Sequence, residues 1–226
     1  MTPSSAFDWQ PLLLTLQLAA ITTLILLFIG IPLACWVAYT RIRIKPVIET
    51  LISMPLVLPP SVLGFYLLLA FSPEHAFGHW LEQWFHIRLV FSFAGLVIGS
   101  VIFSLPFMVH PVQAGLQALP LSLLEASRTL GKSDIVTLFR VLLPNIKPAL
   151  LSGVVLSFAH TIGEFGVILM IGGNIPGVTK VASIAIYDEV EGLNYAAANT
   201  YAGILFAVSF AILLLVYVMN KRVRTL

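Results

Sequence analysis

The stretch SLLEASRTLGKSDIVTLFRVLLP, Ser122 to Pro144, decides how the rest of the chain is read. It is a polar island between two strongly apolar halves. Ser122 followed by Glu125 has the spacing of a capping box, in which each side chain satisfies the other's orphan backbone N–H at a helix start. Gly131 stands where that helix would stop, because glycine enters the left-handed cap without a Cβ penalty. Ser133 can cap a second helix, carrying Ile135, Leu138, Phe139 and Leu142 towards one side before Pro144. Both helices are short, and below about 12 residues a helix is marginal in water without tertiary support. The first is therefore expected to lean on a partner surface.

Around this island the chain is 59% hydrophobic and 10% charged, with a mean hydropathy of +1.00. A soluble domain carries about 25% charged residues. The fold class is all-α integral membrane protein, one transmembrane domain over residues 1–226, with the polar loop at about 113–148. A lone cysteine, Cys35, excludes an internal disulfide and reads as a small packing residue. The N-terminal stretch carries Asp8 and no Lys or Arg, unlike a cleaved signal peptide.

Five apolar segments are expected to span, at Pro11–Tyr39, Val47–Phe71, Val90–Val112, Ala149–Ile171 and Ala197–Met219. On one side of these spans lie Arg41, Arg43, Lys45, Arg128, Lys132, Arg140, Lys147, Lys221, Arg222 and Arg224; on the other only Arg88 and Lys180. Basic residues mark the cytoplasmic side. The N-terminus is thus expected outside, and the C-terminus and the Ser122 loop in the cytoplasm. The outer stretch EHAFGHWLEQWFH spaces Phe77, Trp80, Leu81 and Trp84 as one face of an interfacial helix.

Enzyme signatures are missing. Gly131-Lys132-Ser133 ends like a P-loop, but position 126 is Ala where the motif needs Gly. The histidines form no metal motif, and no nucleophile elbow occurs. No catalytic residue, resident metal or cofactor is expected, and no nucleic-acid partner. More informative are Ser157, His160, Thr161 and Glu164, spaced as one stripe on a helix beside the small residues Ala159, Gly163 and Gly166. An ionisable residue inside a span faces a cavity or a protein interface. Pro59, Pro60 and Ser61, after Pro55, break the second span, and broken backbone at membrane depth belongs in a protein interior or on a water-filled path. These seven residues, Ser157, His160, Thr161, Glu164, Pro59, Pro60 and Ser61, are the pathway and gate candidates.

The polar loop also carries a family resemblance. Glu125-Ala126-Ser127, three residues, Gly131, nine residues, then Val141-x-Leu143-Pro144 resembles the EAA loop of ABC-importer permeases, with Ser127 in place of Ala and Val141 in place of Ile. The resemblance implies that Ser122, Glu125, Ala126, Ser127, Gly131, Val141, Leu143 and Pro144 build a coupling helix seated on an ATP-binding subunit. PLVLPPSVLGFYLLL (Pro55–Leu69) and GEFGVILMIGGNIPGVTKVASIAIYDEVE (Gly163–Glu191) look like the permease of molybdate importers. Sulfate and thiosulfate permeases are similar in the same places but usually longer, which favours molybdate or tungstate. The resemblance further implies a homodimer in a bacterial or archaeal plasma membrane. Its partners would be two ATP-binding cassette subunits, which bind the ATP, and an external substrate-binding protein, with lipid around it. Alternating access would be the mechanism. An ion-coupled secondary transporter is the alternative class; it would show internal repeats and midplane ionisable residues, of which Glu164 alone is a candidate.

Overall fold

The computed structural model describes residues 7–224, which form helices joined by turns, with no strand among the described residues. Helix α1 (Gln10–Tyr39) runs for 30 residues, more than the ~20 needed to cross hydrocarbon. Helices α2 (Lys45–Val57) and α3 (Pro60–Phe71) meet at 113°. Their corner is made by Leu58 and Pro59, both in extended backbone. Pro59 and Pro60 have no N–H to continue the helical ladder, whereas Pro55 is accommodated inside α2. The expected proline break is therefore present. Helix α4 (Ala76–Phe85) presents exposed Phe77, Trp80 and Trp84, with Phe77 and Trp80 stacked at 6.2 Å.

Helix α5 (Phe93–Gln117) is the hub, touching α1, α2, α3 and the two pieces of the fourth segment. It starts later and ends later than the third segment of the sequence reading, so the polar loop begins at Ala118 rather than about 113. The loop holds α6 (Leu121–Thr129), α7 (Asp134–Thr137), a π-helical turn at Leu138–Leu142, and α8 (Leu143–Asn145). Then come α9 (Lys147–Ile162), α10 (Gly166–Gly172), α11 (Ala182–Glu191) and α12 (Tyr195–Arg224). The fourth segment, expected as one helix over Ala149–Ile171, is broken at Gly163–Phe165.

Helix α1, helix α5 and Tyr195–Leu215 of α12 are each long and apolar enough to cross a membrane. Two further pairs pass only when joined: Lys45–Val57 with Pro60–Phe71, and Asp134–Asn145 with Lys147–Ile162, the latter bent by 87°. Candidate spans thus number three to five. The side chains of Lys221, Arg222 and Arg224 lie outside the described residues.

One apolar core sits at the α6 end, where Leu26, Ala34, Met108, Val112, Leu142 and Ile146 pack together. Another lies towards the opposite end, around Leu18, Leu96, Ile168 and Ile184. Between them α3 lies against α10 at very short range. A Cβ at Gly64 would come within 3.0 Å of the Val167 Cα, and one at Gly166 within 2.8 Å of the Pro60 Cβ. Small residues are what allow such backbone approach. At the end opposite α6, Lys180 Nζ reaches Asp188 Oδ2 at 2.6 Å, and the Asn174 amide donates to both carboxylate oxygens at 2.7 Å. Burial pushes the Asp188 carboxyl up, but the ammonium and amide donors outweigh it and hold the group below its ordinary value. A depressed carboxyl stabilises the fold above its unfolded pKa, and that contribution fades only in acid below the ordinary range.

In the polar loop the Ser122–Glu125 capping box does not form. Pro120 occupies the N-cap with no side-chain bond, which places Ser122 inside the first turn. Proline fixes the entry backbone and starts the helix earlier than serine would. Ser133 does cap α7, accepting from the Val136 N–H at 3.4 Å. The apolar residues of that second helix do not share one side: Leu142 is buried, Ile135 and Phe139 are exposed. The π-helical turn shifts the phase of the residues that follow it.

Gly131 ends α6 as expected, with φ +68°. Its N–H bonds to the Arg128 carbonyl at 2.9 Å and the Lys132 N–H to the Ser127 carbonyl at 3.2 Å, a Schellman closure. A Cβ there would meet nothing within 4 Å, so substitution is opposed by backbone strain alone. Gly131→Ala is expected to cost about 1–2 kcal/mol locally. Hydrogen exchange should quicken at the amides of residues 131 and 132 while α5 stays protected. Unchanged exchange at those amides would show that positive φ does not hold the latch.

Candidate functional site

Ser100 and Ser104 stand one turn apart on α5 and face the fourth segment. Ser100 Oγ donates to Glu164 Oε2 at 2.7 Å, both side chains buried. Ser104 Oγ lies 3.0 Å from His160 Nδ1 and 3.0 Å from Thr161 Oγ1. Thr161 Oγ1 donates its hydrogen to the Ser157 carbonyl at 2.9 Å. A hydroxyl has one hydrogen, so Thr161 must accept from Ser104, and Ser104 must accept from His160. The network thereby places a hydrogen on His160 Nδ1. Phe103 and Phe107 hold the ring, at 4.7 and 4.0 Å between centroids.

The stripe of the sequence reading is therefore brought together, though not on one helix. Glu164 lies past the end of α9, in the break. Its carbonyl accepts from Ser183 Oγ of α11 at 2.6 Å, while Glu164 Oε1 and Ser157 Oγ are buried with no partner among the described residues. Pro60, Ser61, Phe103, His160, Gly163 and Glu164 line an open cleft of about 630 Å³. Pro59 forms the α2–α3 corner beside it. No Lys or Arg lines this cleft. Its walls can offer hydroxyls, a ring nitrogen and backbone, but no fixed cation. No group of three or more metal-capable side chains occurs among the described residues.

Sequence reasoning missed the partners on α5. Besides Ser100 and Ser104 these are His110 and Gln113. Gln113 Nε2 donates to Glu49 Oε1 at 2.8 Å, and Ser53 Oγ lies 3.1 Å from His110 Nε2. Both tie α2 to α5. The available signal was the polar residues Ser100, Ser104, His110 and Gln113 inside a largely apolar helix.

The loop candidates gather at the α6 end. Ser127 is buried and bonds through its hydroxyl to Thr137 at 2.7 Å. Glu125, Ala126 and Ser122 are exposed. Val141 and Leu143 are half-buried beside exposed Pro144. Leu121, Leu130, Ile135 and Phe139 are exposed apolar residues on this end.

The family described as "Binding-protein-dependent transport system inner membrane component" matches residues 30–225. The chain is 45% identical over 216 residues to the molybdenum transport system permease protein ModB of Azotobacter vinelandii, covering 95% of each. It is 33% identical over 192 residues to the sulfate transport system permease protein CysT of Escherichia coli K12, covering 84% of this chain and 69% of that one. Among solved structures, a bacterial alginate ABC transporter in complex with a pentasaccharide-bound periplasmic protein superposes with a TM-score of 0.77. The identity is 18%, with coverage of 97% of this chain and 80% of that one.

Removing Ser100's hydroxyl leaves both Glu164 oxygens without a donor. Ser100→Ala is expected to cost about 1–3 kcal/mol, the range for stranding a buried polar group. The same change in a Glu164→Met background should cost far less. Unfolding in mixed micelles measures both, and equal costs in the two backgrounds would show that the pair is not coupled.

Proposed function

The chain belongs to the binding-protein-dependent transport family of inner membrane components, and from that membership we propose that it is the membrane subunit for ATP-driven import of molybdate. It is an ABC-importer permease of the inner membrane, multi-pass and built of helices. The observation that carries the substrate is the 45% identity over 95% of the chain to a molybdenum permease, against 33% to a sulfate permease. Tungstate, a tetrahedral oxyanion of nearly the same shape, falls under the same reading. Sulfate is the second reading, favoured by the CysT relationship alone.

In this reading five spans cross, with α2–α3 and α9–α10 each as one broken span. The N-terminus is outside and α6 is in the cytoplasm; the ten-to-two distribution of basic residues supports that orientation. Two copies enclose one path, and two ATP-binding subunits dock on the α6 ends. ATP is bound and hydrolysed there, so this chain carries no cofactor and does no chemistry. The exposed Leu121, Leu130, Ile135 and Phe139 suit such docking. Ser122, Glu125, Ala126, Ser127, Gly131, Val141, Leu143 and Pro144 form the coupling unit. An external binding protein delivers the anion, as the alginate transporter's periplasmic partner suggests by analogy of fold.

The path is lined by the Glu164 cleft. A buried carboxyl with no cation beside it is a poor holder of a dianion, so Ser157, His160, Thr161 and Glu164, with Pro59, Pro60 and Ser61, act as gate rather than binding site. Alternating access follows when the ATPases close and move the coupling units.

Proteoliposomes with the binding protein inside and ATP outside, for chains inserted with α6 outward, should export labelled molybdate from the lumen in preference to sulfate. Transport driven by an ion gradient without ATP would overturn the class, and equal handling of sulfate the substrate. In the same vesicles Glu164→Gln should alter basal ATPase or the leak of the closed path and leave selectivity intact. Changed selectivity with unchanged ATPase and leak would make Glu164 a substrate contact.

A further inference from the structure

Helix α4 belongs neither to the Glu164 cleft nor to the coupling unit, and its main contact in the chain is with α3. That contact is tight: a Cβ at Gly78 would come within 2.5 Å of the Phe71 carbonyl oxygen, at the last residue of α3. By helical spacing Phe77, Trp80, Leu81 and Trp84 share one face, and His79 and Glu82 lie on the other. The helix ends at His86, which has φ +54° and bonds through its N–H to the Glu82 carbonyl at 3.0 Å. The Ile87 nitrogen lies 3.5 Å from the Leu81 carbonyl oxygen, the closure that returns the next apolar side chain to the helix.

Phe77, Trp80, Trp84, Phe85 and Ile87 are all exposed, Trp84 by 71%. No charge interrupts them, because Glu82, the one carboxylate of α4, is bonded to Arg88 on the opposite side. The level of this face follows from its neighbours. Helix α3 ends just before α4, and α5, long and apolar enough to cross alone, begins soon after it at Phe93. The helix therefore lies between two span ends, on the side away from α6, where the headgroups are. An apolar face of this kind left in water is unfavourable whenever a transient partner is absent, so it needs a permanent neighbour. At this level the bilayer is one, and tryptophans on one side with a histidine and a carboxylate on the other suit its surface.

We propose that α4 lies in the membrane plane, with Phe77, Trp80 and Trp84 set among the headgroups and upper acyl chains of the leaflet away from α6. His79 and Glu82 then face water. Through Gly78 the helix anchors the outer end of α3, the half of a broken span that has no length to cross by itself.

The test uses tryptophan fluorescence of the full chain in phosphatidylcholine vesicles. Trp9→Phe with Trp36→Phe leaves Trp80 and Trp84 as reporters. Bromines high on the acyl chain should quench them more than bromines near its end, and iodide on both sides of the membrane should quench little. Moving the reporter across the helix, with His79→Trp, Trp80→Phe and Trp84→Phe added, should exchange lipid quenching for iodide quenching. Iodide quenching of Trp80 and Trp84 without lipid quenching overturns the proposal, as does stronger quenching by the deep bromines or the same pattern from both faces. Quenching by neither agent overturns it in favour of a second copy, and lipid quenching lost on adding the binding protein in favour of that partner. Trp80→Gln with Trp84→Gln should quicken hydrogen exchange in the last turn of α3 while α5 stays protected; unchanged exchange overturns the anchoring. Should the reporter chain fail to fold, a lipid carrying a diazirine near its headgroup is photolysed with the native chain. Adducts at Phe77, Trp80 and Trp84 support the placement, and their absence there overturns it.

Discussion

A helix broken inside a membrane strands backbone N–H and C=O groups, each costing several kcal/mol in hydrocarbon unless the protein supplies partners. Much of this structure answers that constraint. At the second break the Gly163 N–H finds the Ala159 and His160 carbonyls at 3.3 and 3.1 Å, and the Glu164 N–H the Thr161 carbonyl at 3.3 Å. The Glu164 carbonyl is met from α11 by Ser183. The first break uses prolines, which have no N–H to strand. The two breaks also face each other, since Gly166 lies against Pro60. One irregular layer is thus shared between the α2–α3 and α9–α10 breaks, and α5 packs against both pairs.

That layer explains why the candidate path is where it is. Ending α9 at Ile162 turns the chain away and opens the cleft that Gly163 and Glu164 line. The hydroxyl chain from His160 through Ser104 and Thr161 to the Ser157 carbonyl fixes the ring at the cleft wall, and each bond in such a chain strengthens the next. Helix α11 is drawn in too, because its first N–H, at Ala182, is accepted by Thr15 Oγ1 of α1 at 2.8 Å.

Features set by neighbouring residues were legible in the sequence, and features set across the fold were not. Gly131 was readable because a positive-φ helix end is a local matter. The proline break was readable for the same reason. The capping box failed at close range, as Pro120 two residues earlier had already begun the helix. The stripe from Ser157 to Glu164 was found as a set of residues but assigned to an unbroken helix, because the break at Gly163 depends on Pro60, Ser100 and Ser183 in other elements. His110 and Gln113 were passed over for a similar reason: their meaning lies in Ser53 and Glu49, more than fifty positions away.

The departure of Ser127 from the EAA pattern acquires a physical role in the same way. Its buried hydroxyl bonds to Thr137 and pins α6 to α7. The Schellman closure at Gly131 takes up the only turn between them. Beyond Thr137 the π-helical turn leads without a gap into α8, and Leu142 and Ile146 carry the far end into the core beside Met108 and Val112. Helix α9 starts one residue later and runs to the Glu164 break. Every joint along this route is capped, hydrogen-bonded or packed, and none is a free linker. The route from α6 thus runs through the packed bend at Ile146 into α9 and ends at the break at Gly163, next to Glu164, the one buried carboxyl among the described residues.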